Sequence, residues 1–372
     1  TLKLQAASPL LSGSVQVLGG RLLIGADSFL GQVPASYQAD AVVLDNGSLG
    51  NDDATVTLAA TRGVTLGSNG GYLFGRNGNQ MVMASPITGG GNLNVILQSG
   101  FVRLDNTNND YTGDTVVGST GPGVFTPAPS AKLILGDNEV IPDGAGAGGL
   151  VIDGAWKGVL DLNGKTETVN SLTGFGSAVI ANGAATEGLL RAGSDDTDTA
   201  FSGSLQAGVT LDKIGAGTLA YSNTAASAGL LRVAAGSVSA ASGGALDQTA
   251  VMLDGGSLKT PVTAAGQRFS GPLLLARDAV LDRTGATAAF VWSGPLLPTN
   301  AAGTPVLAVS GGIGPFTVGS TNRSAVFAID ASSASGVIFT NRVWLETLPM
   351  SSSWSIAAVS DVAIGTPGLL GT

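Results

Sequence analysis

The feature that most constrains this chain is a short run of alternating apolar residues that recurs along it and is stopped by Gly, Asn or Asp. In one such run Leu160 and Leu162 flank Asp161, and the turn-forming pair Asn163-Gly164 follows. Similar runs lie at Val15–Val17, Val102–Leu104 and Leu231–Val233. Alternation points successive side chains to opposite faces, as in a half-buried β-strand. The stop residues tolerate the backbone of tight turns.

Many short strands separated by turns predict a sandwich, a barrel or a solenoid. Loose internal similarity between segments favours the solenoid. One example is Phe201–Leu205, which reads Phe-Ser-Gly-Ser-Leu, and Phe269–Leu273, which reads Phe-Ser-Gly-Pro-Leu. Only four of the 26 acidic residues are Glu, and a preference for Asp favours turns over helices. We therefore predict an all-β fold, a parallel β-helix (β-solenoid) without significant helix.

The regularity of the pattern changes along the chain. We predict a β-solenoid over residues 1–260 and, over 261–372, either terminal coils or a modified C-terminal β module. Two stretches are expected to leave the coil as loops, Ser119–Ser130 with three Pro residues and the Gly- and Ala-rich Ile141–Gly149. Proline cannot donate a hydrogen bond to a strand ladder, which favours a loop at the first of them.

Several segments resemble a known repeat. Asp212–Leu219 (Asp-Lys-Ile-Gly-Ala-Gly-Thr-Leu) resembles the core of the autotransporter-associated β-strand repeat, and Asn109–Val117 is similar to its Tyr-Gly turn. Leu160–Gly164 together with Val169–Ser177 is similar to the run that often precedes these repeats. The second repeat departs from the pattern, since Asn223–Ala226 stands where the Tyr-x-Gly turn belongs. The resemblance implies a parallel β-helix in exported bacterial surface proteins and implies no specific activity.

Composition narrows the classes of function. The net charge of −9 provides no basic footprint for nucleic acid, and no apolar run reaches the roughly 18 residues of a membrane helix. His and Cys are absent, which removes the commonest general base and the thiolate metal ligands. Lys and Arg are sparse and scattered. We therefore expect no cofactor and no enzymatic activity, and a polysaccharide-active enzyme is the least favoured alternative.

The densest acidic cluster is Asp195, Asp196 and Asp198. Several carboxylates close together could hold calcium, but the spacing lacks the Gly and Glu of an EF-hand loop. A solvated turn explains the cluster more simply, so these three residues are weak calcium candidates. A glycosidase would need two facing carboxylates, and the sequence selects no such pair.

The two ends of a solenoid expose unpaired strand edges unless polar units cap them. The chain opens on strand-like alternation at Thr1, Leu2 and Leu4 and closes with the apolar pair Leu369 and Leu370. These five residues are the predicted assembly contacts. We expect an extracellular or cell-surface structural subunit that binds copies of itself head to tail or by strand addition. The alternative is an autotransporter passenger that acts as an adhesin or stalk, with cell-surface glycans as candidate partners.

Overall fold

The computed structural model describes residues 1–121, 130–241, 244–260, 267–287, 290–299 and 305–310, together with six short strands beyond them. The strands pair in parallel and stack as a β-solenoid. Helix in these described residues is limited to the 3-10 turn Asp27–Leu30. The prediction of an all-β parallel solenoid without significant helix is therefore confirmed.

The chain comprises two compact units, Thr1–Asp195 and Asp196–Thr372. The strands of the first unit are β1 Leu2–Lys3, β2 Val15–Val17, β3 Gly20–Ile24, β4 Gln38–Leu44, β5 Gly47–Asn51, β6 Val56–Leu58, β7 Arg62–Leu66, β8 Gly71–Phe74, β9 Gln80–Met83, β10 Ile87–Gly89, β11 Leu93–Ile96, β12 Phe101–Leu104, β13 Thr115–Ser119, β14 Ala131–Leu135, β15 Leu150–Gly154, β16 Gly158–Asp161, β17 Thr166–Val169, β18 Leu172–Gly176, β19 Val179–Ala181 and β20 Gly188–Ala192.

The strands of the second unit are equally short. They are β21 Thr199–Phe201, β22 Ser204–Leu205, β23 Val209–Lys213, β24 Thr218–Tyr221, β25 Leu230–Val233, β26 Ser237–Ala240, β27 Ala250–Leu253, β28 Ser257–Lys259, β29 Gln267–Phe269, β30 Leu273–Leu275, β31 Ala279–Asp282, β32 Phe290–Trp292, β33 Leu296–Pro298, β34 Val306–Ser310, β35 Phe316–Val318, β36 Ala328–Asp330, β37 Val337–Phe339, β38 Val343–Leu345, β39 Trp354–Ile356 and β40 Val362–Ile364. The ladder continues from β28 to β31 past residue 260, and the separate module beyond that residue stays a prediction.

The core of each unit consists of apolar columns formed by residues at matching positions of successive turns. In the first unit the sheet order β1-β3-β5-β8-β11-β13-β15-β18 stacks buried residues on one another. One column contains Leu22, Leu49, Leu73, Val95, Val117 and Ile152. In the second unit the corresponding column contains Leu219, Val238, Leu258, Leu281 and Val309. Burial of each such side chain stabilises the fold by about 1.5–3 kcal/mol.

Short polar side chains at the corners hydrogen-bond the backbone of the adjacent turn. Asn92 Oδ1 accepts from the backbone N–H of Asp114 at 2.9 Å, and Asp114 Oδ1 accepts from that of Gly149 at 2.8 Å. Asp161, which is buried, accepts from Gly183 N–H at 2.7 Å. At a bend the sheet ladder is interrupted, and these side chains satisfy N–H groups that would otherwise lack a partner.

The predicted loops lie between β13 and β15. Residues 122–129 of the first loop, Ser119–Ser130, are outside the described part of the chain. The second, Ile141–Gly149, contains no strand, as predicted. In the sheet Val117 pairs with Ile152, 35 positions later, whereas Val95 pairs with Val117 after 22 positions. The extra residues are thus accommodated at corners while the register of the sheet is kept.

The close fit of the core at Gly50 gives a first prediction. A Cβ atom at Gly50 would overlap the ring of Phe74, which is fully buried against Leu23 and Ile96. We expect Gly50→Ala to lower the free energy of unfolding by about 1–3 kcal/mol through overpacking. Gly13→Ala is the matched control because no atom lies within 4 Å of its Cβ position. Urea unfolding followed by circular dichroism measures both, and equal stability of the two variants would contradict the prediction.

The buried corner carboxylate of Asp161 gives a second prediction. It accepts N–H bonds from Gly183 and Asn163 and pairs with the Lys132 ammonium at 2.7 Å. Burial raises its pKa, but the ammonium and the two N–H groups together hold that pKa below its usual range. We expect Asp161→Ala to destabilise the chain by about 2–4 kcal/mol near pH 7. Asp161→Asn, which keeps an acceptor oxygen, should cost about 1 kcal/mol.

The pH dependence separates charge from packing at Asp161. The contribution of the carboxylate is present above its unfolded pKa of about 3.9 and is lost as the pH falls through the lower folded value. Urea unfolding at pH 7, 4 and 3 should therefore show the difference between the wild type and Asp161→Asn shrinking at the acid end. If the difference in stability between the wild type and Asp161→Asn stayed constant with pH, the substitution would act through the shape of the side chain and not through its charge.

Candidate functional site

The predicted assembly residues of the first turn lie at the surface. Thr1 and Leu2 are exposed and Leu4 is half-buried, whereas Leu369 and Leu370 are outside the described residues. Among the described strands, β1 pairs only with β3, and β2 pairs only with β4. In the part of the chain that the structure describes, no strand covers the N–H and C=O groups of their other edges, and such an edge is the usual template for pairing with another chain.

Exposed apolar side chains concentrate in this same part of the chain. Eight large apolar side chains are exposed in the described residues, and six of them precede residue 38. We call these six the N-terminal apolar set: Leu2, Leu10, Leu11, Leu18, Val33 and Tyr37. Leu10 is the most exposed, at 96%. Backbone bonds from Ser8 to Ser28 and from Gln32 to Leu11 place parts of this segment side by side.

The three weak calcium candidates are exposed, and two of them serve the backbone. Asp196 Oδ1 accepts from Ala216 N–H at 2.6 Å, and Asp198 Oδ1 accepts from Thr218 N–H at 2.7 Å. Asp195 donates its backbone N–H to Asn170 O. Across the residues searched, which are those the structure describes, no three or more acidic side chains are grouped to hold a metal ion. Asp196 and Asp198 therefore act as corner acceptors of the kind described above.

A cleft that the sequence did not reveal lies in the first unit, beside the irregular loop between β14 and β15. Its volume is about 340 Å³. It is lined by Thr107, Asn109, Asp110, Tyr111, Thr112, Glu139, Ile141, Pro142, Asp143, Ala145, Gly146 and Ala147. One wall is thus the turn that resembles the repeat motif, and the other is the predicted loop.

Polar side chains of the following turn hold the loop wall in place. Glu167 is fully buried, and its two oxygens accept the N–H groups of Val140 and Ile141, each at 3.0 Å. Asn170 accepts from Gly144 N–H and donates to Gly144 O and Ala147 O, each at 2.8 Å. The loop therefore has a fixed backbone although it contains no strand.

The cleft carries uncompensated negative charge. Asp110, Glu139 and Asp143 are exposed, and no Lys or Arg lines the cleft. None of the ion pairs found in the described part of the chain involves these three carboxylates. Burial raises the pKa of Glu167 to about 8, and the charges of Glu139 and Asp143 raise it as well, against the lowering by its two N–H donors.

Two groups beside the cleft have pKa values raised by burial, and both are engaged by other parts of the fold. Glu167 has a strongly shifted pKa, but it has no exposed surface and both oxygens are engaged by the backbone. The Tyr111 hydroxyl is buried and bonds Thr115 Oγ1 at 2.6 Å, and burial raises its pKa. An acid or base must come within hydrogen-bond reach of its substrate, and neither group is placed to do so.

The residues that carry the family resemblance have identifiable structural roles. Lys213 is buried, and its ammonium donates to the carbonyls of Ile214 and Gly215. The Tyr221 hydroxyl, also buried, donates to Gly203 O at 3.2 Å. Lys213 of the motif, and Tyr221 two residues after the motif segment, thus hold backbone carbonyls of the coil in place. Trp292 is likewise a core residue, stacked on Phe269 at 4.7 Å between ring centroids.

Comparison with protein-family models, curated proteins and solved structures gives no match to this chain. The resemblance to the autotransporter-associated repeat accordingly stays an interpretation of the sequence. In the searched part of the structure, no helix has the length and apolar character needed to cross a membrane.

The buried carboxyl of Glu167 gives a third prediction. Because its folded pKa lies above the unfolded value of about 4.3, the folded state holds more protons between the two values. Stability supplied through this group is therefore greatest in acid and falls as the pH rises from about 5 towards 8. We expect Glu167→Gln to remove this slope and to speed hydrogen exchange in residues 140–147, because its NH2 group faces a backbone N–H.

Urea unfolding at pH 5, 6, 7 and 8 measures the slope in both proteins, and hydrogen exchange measures the loop. Glu187→Gln is the control, because it replaces an exposed Glu of the same unit by the same amide. An identical pH slope in the wild type and in Glu167→Gln would contradict the prediction.

Proposed function

We propose that this chain is a structural subunit of the bacterial cell exterior that binds a second copy of itself at its N-terminal end and so builds a filament or layer. The observation that carries the proposal is the coincidence of two features in one part of the first unit. The edges of β1 and β2 are open, and the N-terminal apolar set is exposed beside them in sequence.

Both features are costly for a molecule that stays alone in water. Removing apolar surface from water lowers the free energy by about 25 cal/mol for each Å². A contact that covers the six large side chains is therefore favourable. Terminal repeats of monomeric solenoids normally have a polar outer face, whereas residues 2–37 expose six large apolar side chains. A second copy would supply parallel strands at the same spacing of about 4.8 Å and would continue the ladder.

The location outside the cell is supported by the sequence. The resemblance to the autotransporter-associated repeat implies an exported surface protein, and the low charged content of 12% suits a densely packed polymer. The same resemblance also fits an adhesin or stalk. The two functions differ in one measurable property, because a stalk or adhesin needs no contact between copies of the chain.

The fourth prediction tests assembly with charge placed in the N-terminal apolar set. The wild type should form larger species as its concentration rises, in sedimentation velocity and in negative-stain electron microscopy. The double variant Leu10→Asp/Leu18→Asp should stay monomeric at the same concentrations, because burying two carboxylates in an apolar contact is unfavourable. Both side chains are largely exposed, so the coil itself should keep its circular dichroism spectrum.

Phe175→Asp is the matched control, since Phe175 is also an exposed apolar residue of the first unit but lies far from residues 2–37 in sequence. It should assemble as the wild type does. A wild type that stays monomeric at all concentrations would overturn the proposal and favour the stalk. Loss of assembly in Phe175→Asp alone would place the contact elsewhere.

A further inference from the structure

The cleft beside the loop 141–149 is a built feature of the first unit. The loop wall is fixed by five hydrogen bonds from Glu167 and Asn170, and a sixth joins Asn109 Nδ2 to Val140 O at 2.7 Å. None of these bonds is needed for a strand ladder, because this stretch contains no strand. The cavity of about 340 Å³ is therefore preformed, as small-ligand sites usually are.

The groups still free to bind a ligand in the cleft are mainly acceptors. The amide of Asn109 already accepts from Ile87 N–H and donates to Asn106 O and Val140 O. The carboxylates of Asp110 and Asp143 are acceptors when ionised. Glu139, whose oxygens accept from the N–H of Thr168 at 2.9 Å and from its hydroxyl at 3.1 Å, adds negative charge beside them. The hydroxyls of Thr107 and Thr112 add to the polar lining.

A ligand that complements the acceptor oxygens and the negative charge of the cleft would supply N–H donors and positive charge. Elsewhere in the first unit carboxylates have cationic partners, as in the pairs Asp27–Arg62 and Asp161–Lys132. The three cleft carboxylates have none among the described residues. Their negative field reaches the interior, where Glu139 and Asp143 act on Glu167.

The lining also distinguishes an organic cation from a metal ion. A divalent cation requires several oxygens converging on one point, and the described acidic residues include no such group. Ile141, Pro142 and Ala147 contribute apolar surface to the same cleft. An alkyl chain that carries ammonium groups can place its stem on this surface and its charges at separate carboxylates.

We propose that the cleft formed by residues 107–112 and 139–147 is a binding site for a small organic cation with primary ammonium groups on an alkyl chain. No residue that lines the cleft belongs to the N-terminal apolar set, although burial and, to a lesser extent, the charge of Asp110 raise the pKa of Tyr37 in that set. The site would give the solenoid a recognition function in addition to a structural one.

The fifth prediction uses 1,5-diaminopentane as the probe and 1,5-pentanediol as its uncharged counterpart of equal length. Titration calorimetry with the whole chain should show saturable binding of the diamine and none of the diol. The double variant Asp110→Asn/Asp143→Asn should bind the diamine about tenfold more weakly, since each lost contact with a charge removes a modest share of the binding free energy. Raising the salt concentration should weaken binding as well.

Asp40→Asn is the control, because Asp40 is an exposed carboxylate of the same unit outside the cleft. It should bind the diamine as the wild type does. Equal binding of the diol, equal weakening by Asp40→Asn, or tighter binding of calcium chloride than of the diamine would each overturn the proposal. So would the absence of saturable diamine binding up to roughly 50 mM, where even weak sites fill.

Discussion

Hydrogen bonds between successive turns are the interaction on which this structure depends. Along the strands they form parallel ladders, and at the corners they are continued by short side chains such as Asn92, Asp114 and Asp198. An Asp or Asn side chain has the length needed to accept a hydrogen bond from a backbone N–H of the adjacent turn, which lies about 4.8 Å away. This requirement favours Asp over Glu at the corners, in agreement with the 22 Asp and four Glu residues of the chain.

Stacking of equivalent positions imposes a second constraint, because a charged residue at one position would face its copy in the next turn. The second unit resolves this with alternating signs. Asp212, Arg232, Asp254 and Arg277 form a continuous chain of ion pairs along successive turns. The two guanidinium groups hold the pKa of Asp254 below its usual range, although burial acts in the opposite direction. Asp212 and Arg232 lie directly opposite each other in the ladder, whereas Asp254 and Arg277 lie just after the next two strands. Opposite charges on neighbouring turns stabilise the stack where like charges would destabilise it.

The sequence was sufficient to predict the strands whose apolar residues alternate, and Val102–Leu104 and Leu231–Val233 lie in β12 and β25. Segments between strands were harder to predict. Leu10 and Leu18 are as apolar as core residues, and only the path of the chain leaves them exposed. The cleft escaped prediction because it depends on contacts between Glu167 and residues 140 and 141, which lie 27 and 26 positions away. Turn length varies, so spacing alone cannot reveal such pairs.

In the turn that contains the cleft, the length of the connecting loop varies without a change in the packing of the core. In globular folds these two properties are usually linked. Between Val117 and Ile152 the chain takes 35 positions, yet both residues keep their places in the same apolar column. The entropic cost of closing a longer loop rises only slowly with its length. New surface chemistry can therefore be inserted at one corner while the neighbouring turns keep their packing. In evolutionary terms, a corner of such a coil can change its length and sequence independently of the framework that carries it.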